Sequence, residues 1–166
     1  MVVVVILGVL GTQVVLRINT NSPDKNLRKE AQRLRVLLDL AADEALLSLN
    51  VIGVHTLSNG YGFYTRVTDA EGAVTWEPFD AGGRLRQREL PEDQELKLEL
   101  EAQQVVLNTA EEQTDEEDPL TPHIWLLPDG EIMPQYKFTM EREDGEYVWE
   151  VQTDDEGRFS VDSVKF

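Results

Sequence analysis

At Asn50 the hydrophobic period of the chain changes from about 3.6 residues to 2, and that change limits the folds open to it. Before Asn50, apolar residues recur at Leu27, Ala31, Leu34, Leu38, Ala41, Ala45 and Leu49. Steps of three and four keep one side of a helix apolar for about six turns. Leu37, Ala42 and Leu46 widen the stripe, while Lys29, Arg33, Asp39, Asp43 and Glu44 occupy the opposite side. An amphipathic helix of this kind is a scaffold that packs on another layer. Its start is marked by Ser22, a capping residue, by Pro23 at the first helical position and by Asp24 at the positive end of the dipole.

After Asn50 the chain reads as strands. Val51-Ile52-Gly53-Val54-His55-Thr56 and Tyr61-Gly62-Phe63-Tyr64-Thr65-Arg66-Val67 flank Leu57-Ser58-Asn59-Gly60, whose Asn59-Gly60 pair predicts a hairpin turn. Further turns are expected at Glu71-Gly72, Gly82-Gly83, Asp129-Gly130, Asp144-Gly145 and Glu156-Gly157. Between them, Leu96, Leu98 and Leu100 alternate with charged residues, and so do Tyr136, Phe138 and Met140, then Tyr147, Trp149 and Val151, with polar or smaller ones. One apolar and one wet face is the pattern of an antiparallel sheet. Along Arg158–Phe166 the alternation shifts phase between Val161 and Val164, which predicts a bulge or a frayed end. The fold expected is α+β: a long N-terminal hydrophobic helix broken near Ser22-Pro23, then antiparallel β-sheets packed on the amphipathic helix. The corresponding boundaries are 1–18, 19–50 and 51–166.

The first sixteen residues, MVVVVILGVLGTQVVL, carry no charge. As a helix they span roughly 24 Å, short of the ~30 Å hydrocarbon core. A secretory signal peptide would need basic residues ahead of the apolar run and a small-residue cleavage site behind it, and neither is there. A buried strand or core helix is one reading, given four consecutive valines. The other is a membrane helix lacking its first turns, because the segment is apolar all round. On that reading Val2, Val5, Ile6, Gly8, Val9, Gly11, Val14 and Leu16 form a membrane and assembly helix, with Gly8 and Gly11 allowing close backbone approach.

Charge divides the chain at the same place. The net charge is −17, yet residues 1–50 balance at +1 and the remainder at −18. An acidic β-rich half argues against sequence-independent nucleic-acid binding, which relies on Lys and Arg. There is no cysteine, so disulfides, thiolate metal sites and thiol nucleophiles are excluded. Glu111–Asp118 is a low-complexity acidic run read as a solvated loop; it lacks the spaced Asp residues and central Gly of a calcium loop. His55 and His123 show no metal-type spacing and no marked partner, and are read as structural or surface residues. No nucleophile elbow, phosphate loop or dinucleotide fingerprint is present, so no catalytic, cofactor or metal residues are nominated.

The order of these parts resembles a known family. The apolar N-terminal segment, the stretch Leu34-Arg35-Val36-Leu37-Leu38-Asp39-Leu40-Ala41-Ala42-Asp43-Glu44-Ala45, the following Val51-Ile52-Gly53-Val54 and Tyr61-Gly62-Phe63, and the late His123-Ile124-Trp125-Leu126-Leu127-Pro128-Asp129-Gly130-Glu131 resemble the GspH/FimT group of minor pseudopilins. The resemblance implies a type IV pilin-like fold and a structural subunit, not an enzyme, of the type II secretion machine that carries folded exoproteins across the outer membrane. It further implies a single-pass inner-membrane helix with a periplasmic globular domain. The implied partners are minor I-, J- and K-type and major G-type pseudopilins and an inner-membrane assembly platform, with exoprotein contact as an added possibility.

Precursors of that group carry a basic leader, a Gly-Phe cleavage point and a glutamate at the fifth mature position. None is present here, so processing, N-methylation and the glutamate contact fall on no residue of this chain. About six further residues would bring the helix to roughly 33 Å, so Met1 is expected to be internal to a longer precursor. Lys25, Arg28, Lys29, Arg33 and Arg35, taken alone, favour a cytoplasmic flank, against the periplasmic side that the resemblance implies. Two alternatives stay open: a minor pilin of a type IV pilus or DNA-uptake system, and a membrane-anchored β-rich ligand-binding domain.

Overall fold

The computed structural model describes residues 23–112, 120–154 and 156–165. Its one described helix, α1 (Pro23–Ser48), is 26 residues long, about 39 Å at 1.5 Å per residue. Pro23 occupies the first position and Asp24 the first turn, as the sequence signals require. Leu27, Ala31, Leu34, Leu38, Ala41 and Ala45 are all buried, and Leu37 joins them. Three alanines in that stripe hold α1 close to the strands beneath it. On the wet side, Arg33 pairs with Glu30 at 2.9 Å and Arg35 with Asp39 at 2.6 Å; exposed pairs of this kind add a few tenths of a kcal/mol each, about 0.3–0.5.

Leu49 departs from the expected stripe. The helix stops at Ser48, and Leu49 turns into the left-handed region (φ 54°) with its side chain 79% exposed. Leu46 also faces out. The 3.6 period continued in sequence for one step beyond the point where the chain reverses. Asn50 fixes that reversal: its Nδ2 donates to Thr65 Oγ1 (2.9 Å) and to the Arg66 carbonyl (3.2 Å), and its Oδ1 accepts from the Val51 amide (2.9 Å).

Among the described residues eleven strands follow, all antiparallel where they pair. They are β1 (Ile52–Leu57), β2 (Gly60–Thr68), β3 (Val74–Pro78), β4 (Arg88–Glu89), β5 (Gln94–Leu100), β6 (Gln103–Val105), β7 (Ile124–Leu126), β8 (Ile132–Met133), β9 (Tyr136–Arg142), β10 (Tyr147–Thr153) and β11 (Phe159–Lys165). The first sheet runs β3-β2-β1-β7-β8, with β4 also on β2; the second runs β11-β10-β9-β5-β6. Ile52, Val54, Tyr61 and Phe63 from the first sheet and Leu96, Leu98, Phe138, Met140 and Val151 from the second meet the buried stripe of α1 in one core. Tyr61 is buried to its hydroxyl, and that burial pushes its pKa up to about 12.

Two expectations for the strands are corrected. In the β1–β2 hairpin the register Leu57↔Gly60 makes Ser58-Asn59 the two-residue turn, so Gly60 already belongs to the ladder. Its missing side chain serves a different end, because a Cβ there would lie 2.4 Å from the Arg88 carbonyl oxygen and push β4 away. In β11 the pairing with β10 runs unbroken from Thr153↔Phe159 to Tyr147↔Lys165, without a bulge. Val164 sits opposite Val148 on the other face of the ladder from Val161, and its side chain is exposed. The acidic run 111–118 is described only through Glu112, whose carboxylate accepts from the Thr109 amide (2.8 Å). That bond holds its pKa below the usual carboxylate range. The N-terminal set from Val2 to Leu16 and the capping role of Ser22 lie outside the described residues.

Candidate assembly surface

α1 buries its apolar stripe and leaves a few apolar side chains among the charged residues of its exposed side. Val36 is 54% exposed and Leu47 81% exposed. Eleven residues separate them, close to three full turns at about 100° per residue, so they line up on one side of the helix. Leu46 and Leu49 extend the exposed apolar surface at the C-terminal end. The helix thus carries the predicted core-facing residues Leu27, Ala31, Leu34, Leu38, Ala41 and Ala45 inward, and a second set outward that periodicity alone did not separate. Among the described residues no helix is long and apolar enough to cross a membrane.

Behind the helix, β1 joins distant parts of the sequence. His55 and His123, expected to act apart, stack with ring centroids 4.8 Å apart and planes 18° from parallel. The Thr56 amide donates to His123 Nδ1 (3.1 Å), which therefore carries no proton. His55 Nδ1 lies 3.1 Å from the Thr121 carbonyl and donates to it. Burial, with the neighbouring His55 as a second cause, pulls the His123 pKa down to about 4. The pair pins residues 121–123 to β1. Gly53 is part of the same joint, because Pro122 occupies the space a side chain would take. Local sequence shows none of this, since the partners meet only through the β1–β7 pairing.

Part of the acidic surface is compensated by cations of the same chain. A cleft of about 850 Å³ lies where Asp93, Glu95, Glu141 and Arg142 come together. Lys97 binds Glu141 at 2.5 Å and Arg142 faces Asp93 at 3.7 Å. The hydrogen bond that Lys97 donates to Glu141 is the main reason the Lys97 pKa rises above its usual value. Neither histidine lies in the cleft to serve Ser58 as a base.

Among the described residues, one helix laid across two antiparallel sheets, with apolar side chains left on its outer side, defines a pilin-like subunit. Solved structures agree on the fold. The minor pseudopilin EpsH of the Vibrio cholerae type II secretion system superposes with a TM-score of 0.64 at 20% identity, over 84% of this chain and 95% of that one. E. coli GspH in solution superposes with a TM-score of 0.60 at 18% identity, over 90% and 94%. Residues 30–157 match the family described as type II transport protein GspH, and the chain belongs to that family. Among its relatives, type II secretion system protein H of Aeromonas hydrophila is 26% identical over 97% of this chain and 88% of its own length. The protein of that name from Klebsiella michiganensis is 27% identical over 97% and 90%.

Proposed function

We propose that the chain is a minor pseudopilin of a type II secretion system, a structural subunit at the junction of pseudopilus tip and shaft that supports export of folded proteins across the outer membrane. The observation that carries the reading is the set of apolar side chains left exposed on α1 and just past its end. Val36, Leu46 and Leu47 on the helix, and Leu49 in the turn after it, stand in water on the isolated chain, and a neighbouring subunit would cover them. In a filament these residues meet the helices of neighbouring subunits, while the two sheets stay outside. The apolar segment 1–18 continues the stem as a single-pass inner-membrane helix in which Gly8 and Gly11 permit close packing, with the 51–166 domain in the periplasm. Neighbours of the I-, J-, K- and G-type, and an inner-membrane platform, complete the assembly.

The DNA-uptake alternative receives no support from the C-terminal strand. Arg158 is held by Asp154 and Glu156, and Lys165 faces Glu146 at 4.0 Å, so its cations are spent within the chain. The test of the assembly face is the pair Val36→Glu and Leu47→Glu. Both positions are exposed, so stability should change by less than about 0.5 kcal/mol. Secretion in a strain depending on this subunit should fall sharply; normal secretion with both charges in place would overturn the reading.

A further inference from the structure

The outer face of the first sheet holds a groove of about 530 Å³ whose lining includes Arg66, Val74, Trp76, Trp125, Leu127 and Met133. Register explains why they meet. Trp125 pairs with Gly53 on one side and Met133 on the other, and Trp76 pairs with Arg66; directly opposed residues share a face. Gly53, lacking a side chain, leaves room for Trp76 to lean over β1, with its ring 2.9 Å from where a Cβ would stand. Trp125, Met133 and Val74 are each about two-fifths exposed, at 41%, 42% and 45%. An exposed tryptophan, Trp125, and a half-buried one, Trp76, gathered with apolar neighbours are the composition of a contact surface rather than of a solvated sheet.

The charge in this groove is opposite to that of the protein. Among the described residues, Arg66 is the only charged one lining it. Several cations elsewhere are matched with carboxylates, among them Arg33 with Glu30, Arg35 with Asp39, Lys97 with Glu141 and Lys137 with Glu99. The Arg66 guanidinium has no such partner among the described residues, although the chain holds 32 acidic residues against 15 basic. A guanidinium set in an apolar, aromatic surface selects an occupant that brings a carboxylate. The lining is small beside the ~20–30 residues a side of a standard interface, so the contact is with a short segment and is readily released. α1 packs on the inner face of the same sheet, which leaves the groove open while the helix is engaged in a stem.

We infer that the groove is a docking site for a short apolar segment bearing one carboxylate on the protein being transported. This rests on the secretion role proposed above. The probe is acetyl-Leu-Phe-Leu-Glu-amide, titrated into the full chain labelled with nitrogen-15 and held in lipid nanodiscs, beside the same peptide ending in Gln or Lys. The indole N–H signals of Trp76 and Trp125 should move. That of Trp149, beneath Arg28 at 5.5 Å on the helix side, should not. The Glu peptide should bind about fivefold or more tightly than the Gln peptide. Arg66→Gln should remove that preference and Arg66→Glu should transfer it to the Lys peptide.

Still indoles with all three peptides, or equal affinities for Glu and Gln, would overturn the site. In cells, Arg66→Glu should reduce export while the filament still forms; loss of the filament would overturn the transported protein as occupant. If the unaltered chain supports no export at all, the secretion role fails, while the peptide titration still reports on the groove.

Discussion

Gly53→Ala tests how tightly the β1 joint is built. The added methyl would stand 2.4 Å from Pro122 Cγ, 2.6 Å from Pro122 Cβ and 2.9 Å from Trp76 Cζ3. Carbon atoms settle at about 3.5–4.0 Å, so Pro122 must retreat by roughly 1 Å. Pro122 cannot move alone. The next residue donates its amide to the Val54 carbonyl (2.9 Å) and accepts from the Thr56 amide through its ring (3.1 Å). Overpacking of this kind costs about 1–3 kcal/mol, and one weakened hydrogen bond adds about 1. Replacing glycine inside a strand returns about 0.5–1 kcal/mol. The net loss should be about 2 kcal/mol, or about 4–8 °C in Tm for a chain of this size. Urea and thermal unfolding of the single variants and of Gly53→Ala/Pro122→Ala give the answer. Shrinking Pro122 should restore at least about 1 kcal/mol of the loss. A single variant within about 0.5 kcal/mol of the unaltered chain, or a double variant whose effects simply add, would refute the reasoning.

The β5–β6 turn and the His123 ring give two further expectations. Glu101 and Ala102 both adopt positive φ (50° and 63°), a conformation that suits Asn-Gly, so Glu101→Asn/Ala102→Gly should raise stability by about 1 kcal/mol in urea unfolding. For His123, the native pKa of about 4 lies below the ordinary histidine value of 6.5, so the unfolded chain takes up the proton first as pH falls. The stability this ring supports is full above about pH 6.5, declines toward pH 4 and is level below it. Allowing for its partial exposure, the loss is about 1–2 kcal/mol. His123→Asn keeps an acceptor for the Thr56 amide without a titrating group, so its unfolding free energy should vary less across that range; identical pH profiles would count against the assignment.

Periodicity made α1 and the long hairpins legible. The stripe from Leu27 to Ala45 and the alternation at Leu96-Leu98 and Tyr136-Phe138-Met140 are local signals that survive into the core. Leu49 was misplaced because period says where a face lies but not where the chain leaves it; that depended on Asn50 and a left-handed turn. The short strands β4, β6 and β8, of two or three residues, are too brief to show a period. The candidate surfaces were harder to see. Val36 and Leu47 look like ordinary members of a broad apolar helix until the sheets are placed. The His55–His123 stack and the Trp76–Trp125 groove exist only because β7 pairs with β1 and β3 with β2. Residues so distant in sequence carry no mutual pattern. Gly60 reads as a turn residue and Gly53 as one more strand position, whereas each makes way for a neighbour, the Arg88 carbonyl in the first case and Pro122 in the second.

The measurement closest to the central claim is co-purification of the full chain, co-produced with the I-, J-, K- and G-type pseudopilins of its own system, with Val36→Glu/Leu47→Glu alongside. The account predicts a stable complex with at least one of the four that the double variant loses while its own domain remains folded. A chain that elutes alone from all four, or a double variant that binds as well as the unaltered protein, would contradict it.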